Sequence, residues 1–339
     1  MFLLCVDPPD TEACAAALSS VLKAMDDVAV VSFDLGLRNF PLVANHLVGH
    51  KIVLLSGAVG ISLTVHPGDK SLRCLGGGSL VVERLSKEQS KKGLKFVNLL
   101  RTGGIPVRHC KNVACYTHGA AVFKTCHAAA ALAGVSLQEF VQDPYGRSLW
   151  AAMIREGLHA LSFAARGGDW RAANPCCSLT LPQLELCLCL PASLFNLVSR
   201  WVLSFPPDLA PPTRWDLDVG RETGVAWTLA ETVRVADKHK VSARASRAVL
   251  SAVMLAVRVG DGAPRRTPQS VLIDAYGSAV IPSDSARDLR QKVVRWGVYF
   301  AVGTILLAVL GGVWFAVTAA LAVLLAAVIK YAVIGDVVP

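Results

Sequence analysis

The sequence predicts an α/β body, a smaller helical region after it, and a C-terminal membrane anchor. Three observations carry this: short apolar runs alternating with helix-like segments up to about residue 170, a proline cluster near residue 210, and a long uncharged stretch near the end. The 339 residues have room for about two ordinary domains besides a membrane segment.

The anchor is the plainest feature. From Trp296 to Ile329 no residue is charged, and the run reads WGVYFAVGTILLAVLGGVWFAVTAALAVLLAAVI. A spanning helix needs about 20 apolar residues to cross about 30 Å of hydrocarbon. The run exceeds one span and falls short of two, and Gly311-Gly312 in its middle suits either a re-entrant bend or close helix packing. One tilted span and a tight hairpin over 296–334 both remain open. Arg287, Arg290, Lys292 and Arg295 precede it and Lys330 and Tyr331 follow, which favours a cytoplasmic body. Trp296, Tyr299 and Trp314 have the amphipathic rings that interfaces prefer. The opening MFLLCVDPPD lacks a cationic stretch before a long apolar core, so no secretory signal is expected.

The body is divided by composition. Residues 1–170 alternate between strand and helix. Thr11 to Asp26 is a helix candidate with Asp10 or Thr11 as N-cap. Val28 to Phe33, VAVVSF, is a continuous apolar run suited to a strand buried on both faces. Phe40 to Leu47, Lys51 to Leu55, Ser79 to Val82 and Ile105 to Cys110 have strand-like lengths. Ser86 to Leu100 reads as a basic helix, and Phe123 to Val141 and Arg147 to Arg166 as further helices. Residues 171–213 form a Cys-, Leu- and Pro-rich connector ending in FPPDLAPPT. Residues 214–290 are a small helical region and linker, with Arg244 to Val259 its strongest helix and GDGAPRRTPQS a flexible connector.

Ten cysteines do not make a disulfide framework here. Cys176-Cys177 and Cys187-x-Cys189 are too close to pair simply within each motif, and the chain is far larger than a stapled mini-domain. Reduced thiols are expected. The formal charge of +9 suits anionic partners, either nucleic acid or acidic lipid headgroups.

The stretch with most chemical content is VVSFDLGLRN, where an apolar strand ends in Asp34, with Gly36 for a tight turn and Arg38-Asn39 after it. LVVER repeats the pattern, an apolar strand ending in Glu83-Arg84. Glu156 and His159 lie three apart on a predicted helix, so they share a face. This order resembles the RuvC-like Holliday-junction resolvases of the RNase H-like fold, including the kind encoded by poxviruses, over roughly residues 28–166. The resemblance departs at its final pair, where two aspartates are usual and Glu156 and His159 stand. Nothing in that family corresponds to the anchor or to the chain after residue 170.

The resemblance implies an RNase H-like mixed sheet with flanking helices, and a magnesium-dependent endonuclease acting on branched DNA, with manganese as substitute. Asp34, Glu83, Glu156 and His159 would be both catalytic residues and metal ligands, two cations serving an in-line phosphodiester displacement. Arg38, Lys87, Lys91, Lys92, Lys95, Arg101, Arg108 and Lys124 would hold phosphates. The alternative expectation is a non-enzymatic, tail-anchored, viral scaffold with a degenerate nuclease fold. The lipid bilayer, branched DNA and a homodimer are the expected partners. A third class, a basic membrane-surface protein, needs only the cations between Arg287 and Arg295.

HCKNVACYTHGAAVFKTCH gathers His109, Cys110, Cys115, His118, Cys126 and His127, without a Cys-x-x-Cys knuckle. Ordinary semi-buried thiols and imidazoles are expected there rather than zinc. Gly76-Gly77-Gly78 precedes a strand, the wrong order for a phosphate-cradling loop.

Overall fold

The computed structural model describes residues 2–5, 10–25, 28–34, 39–61, 63–65, 72–74, 78–84, 90–164, 173–203, 205–207 and 210–278. In chain order the first part runs β1 (Phe2–Leu4), α1 (Thr11–Leu22), β2 (Val28–Asp34), α2 (Asn39–His46), β3 (Ile52–Val59), β4 (Leu63–Val65), β5 (Leu72–Cys74), β6 (Leu80–Glu83), α3 (Ser90–Thr102) and β7 (Val107–Cys110). Five strands form one sheet in the order β1-β2-β3-β6-β7, and β4 and β5 form a separate antiparallel pair. β1, β2 and β3 are mutually parallel, in register from Val28 opposite Ile52 to Asp34 opposite Ala58. β6 runs antiparallel to β3, and β7 parallel to β6.

The apolar run of β2 is continuous because both faces of the sheet are covered. Side chains alternate across a strand. Val28 and Val30 therefore pack with Leu4, Ile52 and Leu54 against Ala15 and Leu22 of α1 and Val43 of α2. Val31 and Phe33 turn the other way and pack with Leu55, Val82 and Val97 of α3.

Phe40 to Leu47, expected as a strand, is helical from Asn39 to His46 instead. Pro41 falls in the first turn, where its missing N–H costs nothing. Val43 and Leu47, four apart, are both buried. A short apolar run does not distinguish a buried strand from the inner stripe of a short helix.

The second part is helical: α4 (Ala114–Phe123), α5 (Thr125–Ala133), α6 (Leu137–Gln142), α7 (Pro144–Ala164), α8 (Leu181–Leu188), α9 (Ala192–Val202), α10 (Pro212–Asp218), α11 (Leu229–Lys238), α12 (Arg244–Val259) and α13 (Pro268–Tyr276). The 21 residues of α7 make its axis, touching α4, α5, α6, α8, α11, α12 and α13. Trp150 of α7 is fully buried, donates its indole N–H to the Phe123 carbonyl at 3.1 Å, and meets the Phe123 ring edge-on at 5.3 Å. Arg147 is buried one turn earlier. Its guanidinium donates to the Val141 and Gln142 carbonyls at the end of α6, and lies 4.6 Å from the Phe195 ring centre. One hydrophobic core thus runs from Val122 to Leu272, through the expected connector and beyond it. The expected flexible connector at 260–270 instead leads into α13, whose Val271 and Leu272 are buried in that core.

Among the described residues no helix is long and apolar enough to cross a membrane. The membrane-anchored localisation expected from 296–334 therefore gains no support from the folded body, and that run lies outside the described residues.

α4 and α7 approach closely at Gly157, where a Cβ would stand 2.8 Å from Val122 Cγ2. Gly157→Ala is expected to cost about 1–3 kcal/mol by overpacking, against the small gain in helix propensity. Urea unfolding of the two proteins side by side measures it.

Candidate functional site

The four expected metal ligands lie in separate settings. Asp34 ends β2 and pairs with Ala58 across β3. Glu83 ends β6 on the far side of β3, about 10 Å away at two strand spacings, and accepts the Ser56 N–H at 3.2 Å. His159 is exposed on α7, its ring 5.2 Å from Phe163, which stacks on His239. Among the described residues no group of three or more His, Cys, Asp and Glu side chains is placed to hold a metal ion.

Glu156 has a different task. It is buried, and its carboxylate accepts the backbone N–H groups of Ala245 at 2.9 Å and Ser246 at 2.8 Å. Those are donors of the first turn of α12, whose N-cap, Ala243, has no side chain able to cap them. The Tyr276 hydroxyl donates to the same carboxylate at 3.0 Å. Burial, and then the Glu156 charge, push the Tyr276 phenol well above its ordinary range. Glu156 therefore joins α7, α12 and α13 through a carboxylate at a helix N-terminus.

The expected phosphate-binding cations do not form a described surface. Arg38 and Lys87 lie outside the described residues. Lys91 and Lys92 are on α3 with Lys95, which is exposed, as is Arg108. Arg101 folds back on its own loop, donating from Nε and Nη2 to the Val107 carbonyl.

Lys124 is the exception, because it stands where the two parts of the chain meet. It is at once the last cap of α4 and the first of α5, with φ −70° and ψ −2°. From there Nζ reaches across to the carbonyl of Val59, the last residue of β3, at 3.2 Å. The segment after α7 closes in beside it. Ser79 N–H donates to the Pro175 carbonyl at 2.9 Å, and a Cβ on Gly60 would stand only 2.1 Å from that oxygen. Asn174 holds the turn, donating to the Leu179 carbonyl and accepting the Cys176 N–H.

Among the described residues no carboxylate pairs with Lys124. Burial lowers its pKa. His127 beside it is pushed down to about 3 by burial and then by the Lys124 charge, so it is neutral at physiological pH. Burial pushes the Cys176 thiol up to about 12 and raises Cys126 as well. These thiols therefore stay protonated near neutral pH and are weak nucleophiles. The sequence shows Lys124 only as one cation among many, since Val59 is 65 residues away.

No protein-family model matches the chain, and no curated protein does. Solved structures do. A PanE/ApbA family ketopantoate reductase from Ralstonia eutropha JMP134 matches at 17% identity with a TM-score of 0.56, covering 76% of this chain and 76% of that one. D-mandelate dehydrogenase, in a ternary structure with NADH and anilino(oxo)acetate, matches at 14% identity with a TM-score of 0.56 and the same coverage of both chains. Identities this low show the fold alone, a Rossmann-like α/β fold with a parallel-rich sheet and a helical second part.

That fold overturns the RNase H-like architecture and the resolvase resemblance, and with them the magnesium-dependent endonuclease, the branched-DNA substrate and the degenerate-nuclease scaffold. The Asp-x-Gly motif misled because an acid at the end of an apolar strand is common to many α/β sheets. Only pairing with neighbouring strands decides what the acid faces.

Glu156→Ala is expected to destabilise by roughly 3 kcal/mol, since it leaves two buried N–H groups and a half-buried hydroxyl unpaired. His159→Ala should stay within about 0.5 kcal/mol. Chemical denaturation of both variants separates a structural carboxylate from an exposed imidazole.

Proposed function

We propose that this chain binds a small 2-oxo or 2-hydroxy carboxylic acid at the junction of its sheet and its helices, with Lys124 as the group that meets the carboxylate. The observation that carries the reading is Lys124 itself. A half-buried ammonium with one backbone carbonyl as its hydrogen-bond partner and no described counter-charge is costly to keep unless something anionic joins it. It lies at the carboxyl end of a parallel strand, the side on which open α/β sheets take ligands. Support for the ligand class comes from D-mandelate dehydrogenase of the same fold, whose ternary structure holds anilino(oxo)acetate.

The chemistry of the position agrees with a small acid. An ammonium in a partly dry site pairs strongly with a carboxylate and hydrogen-bonds a neighbouring keto or hydroxyl oxygen. The neutral His127 adds no competing charge.

Lys124→Met is expected to weaken binding of anilino(oxo)acetate at least tenfold by isothermal calorimetry, while holding or raising thermal stability. The stability sign follows from the lowered pKa: folding disfavours the charged lysine, so removing the charge removes that cost. For the same reason wild-type stability should rise as pH climbs through the lowered lysine pKa towards the unfolded value of about 10.4. Acid binding should run the other way. It should be constant while Lys124 is protonated and fall as pH rises through that lowered pKa. Binding unaffected by Lys124→Met would sink the proposal.

A further inference from the structure

We infer that this chain has no working nicotinamide-dinucleotide site, so that it holds its acid without exchanging hydride with it; the second clause rests on the small-acid reading above. The fold implies NAD(P), which needs two things. One is a glycine-rich turn from the first strand into the first helix, so that backbone N–H groups and the helix N-terminus receive the pyrophosphate. The other is a crevice at the point where the strand order reverses.

Neither is found at the first strand and helix of this chain. No glycine precedes Gly36, and the connection between β1 and α1 carries Asp7, Pro8, Pro9 and Asp10. Proline has no N–H to offer a phosphate. Asp10 occupies the N-cap of α1 without a side-chain capping bond, and Glu12 follows in the first turn. Both carboxylates favour the helix dipole, which is the part an incoming pyrophosphate would otherwise take. Glu12 is exposed, and among the described residues its ionic neighbour is His46, 3.8 Å away.

The strand order gives a second, independent reason. A doubly wound sheet in the order 3-2-1-4-5-6 has its first strand in the middle, with neighbours on both sides. Among the described residues β1 is an edge strand that pairs with β2 alone. The chain then steps from β1 to β2 to β3 without turning back, and β6 joins β3 antiparallel. Among the described residues no reversal of strand order flanks β1, which is where the switch-point crevice would have to open. Asp34 at the end of β2 stands where a ribose-binding acid belongs in such folds, but a ribose contact cannot replace the pyrophosphate cradle.

The test uses the full chain, with cooperative melting as proof that it is folded. NADH and NADPH are titrated separately, with and without anilino(oxo)acetate, and followed by nicotinamide fluorescence and by melting temperature. The expected result is no saturable fluorescence change and no melting shift from either dinucleotide. Saturable binding of either one, or alcohol formed from the keto acid in its presence, would overturn the inference. A melting shift from the acid alone supports both readings together. Silence towards acid and dinucleotide alike leaves this inference standing and defeats the small-acid reading.

Discussion

The carboxylate of Glu156 at the head of α12 is the contact on which the helical part depends. α12 begins with Ala243, which has nothing to offer its own first-turn donors, so the cap comes from a helix about ninety residues earlier in the chain. Because α7 also packs on α4, α5, α6, α8 and α11, fixing α12 to it sets the position of nearly every other helix. The Tyr276 hydroxyl draws α13 onto the same two oxygens. A buried carboxylate is costly unless its lone pairs are filled, and here three donors fill them.

The junction between helices and sheet is built in the opposite way. Where Glu156 is fully satisfied, Lys124 is held by a single carbonyl, and its neighbours are protonated thiols and a neutral imidazole. The two charged groups sit in one molecule with contrary settings. Glu156 is surrounded by partners, whereas among the described residues Lys124 has one carbonyl and no carboxylate. The close approach of Gly60 to Pro175 holds the segment after α7 against the end of β3, next to the carbonyl that receives Lys124.

The sheet explains how an α/β fold of this kind can form without a phosphate cradle after its first strand. Covering both faces of β2 and β3 needs only alternating apolar side chains, and this chain supplies them through VAVVSF and IVLL. The pyrophosphate cradle asks for something else: particular backbone conformations and free N–H groups at one turn. Packing and phosphate binding therefore place separate demands on the chain. The first can survive when Pro8, Pro9 and Asp10 replace what the second requires.

Several elements of the fold were legible in the residues taken alone, although the fold class was not. The strand at Val28, the helix at Arg244 to Val259 and the long helix around Trp150 all follow from periodicity, because each buries a continuous face or stripe. The α2 segment was not legible, since eight residues give too few turns to tell one period from another. The roles of the charged residues were hidden for another reason. Glu156 and His159 share a helix face in sequence, yet one caps α12 and the other faces solvent, and the partners that decide this are some ninety residues away. The sequence by itself determined the missing glycine turn, the α/β alternation and the helix faces, because these depend on local chemistry and spacing. Only the tertiary structure decided the sheet order, the cap on α12 and the solitary setting of Lys124, because each depends on which distant backbone groups are brought within hydrogen-bonding reach.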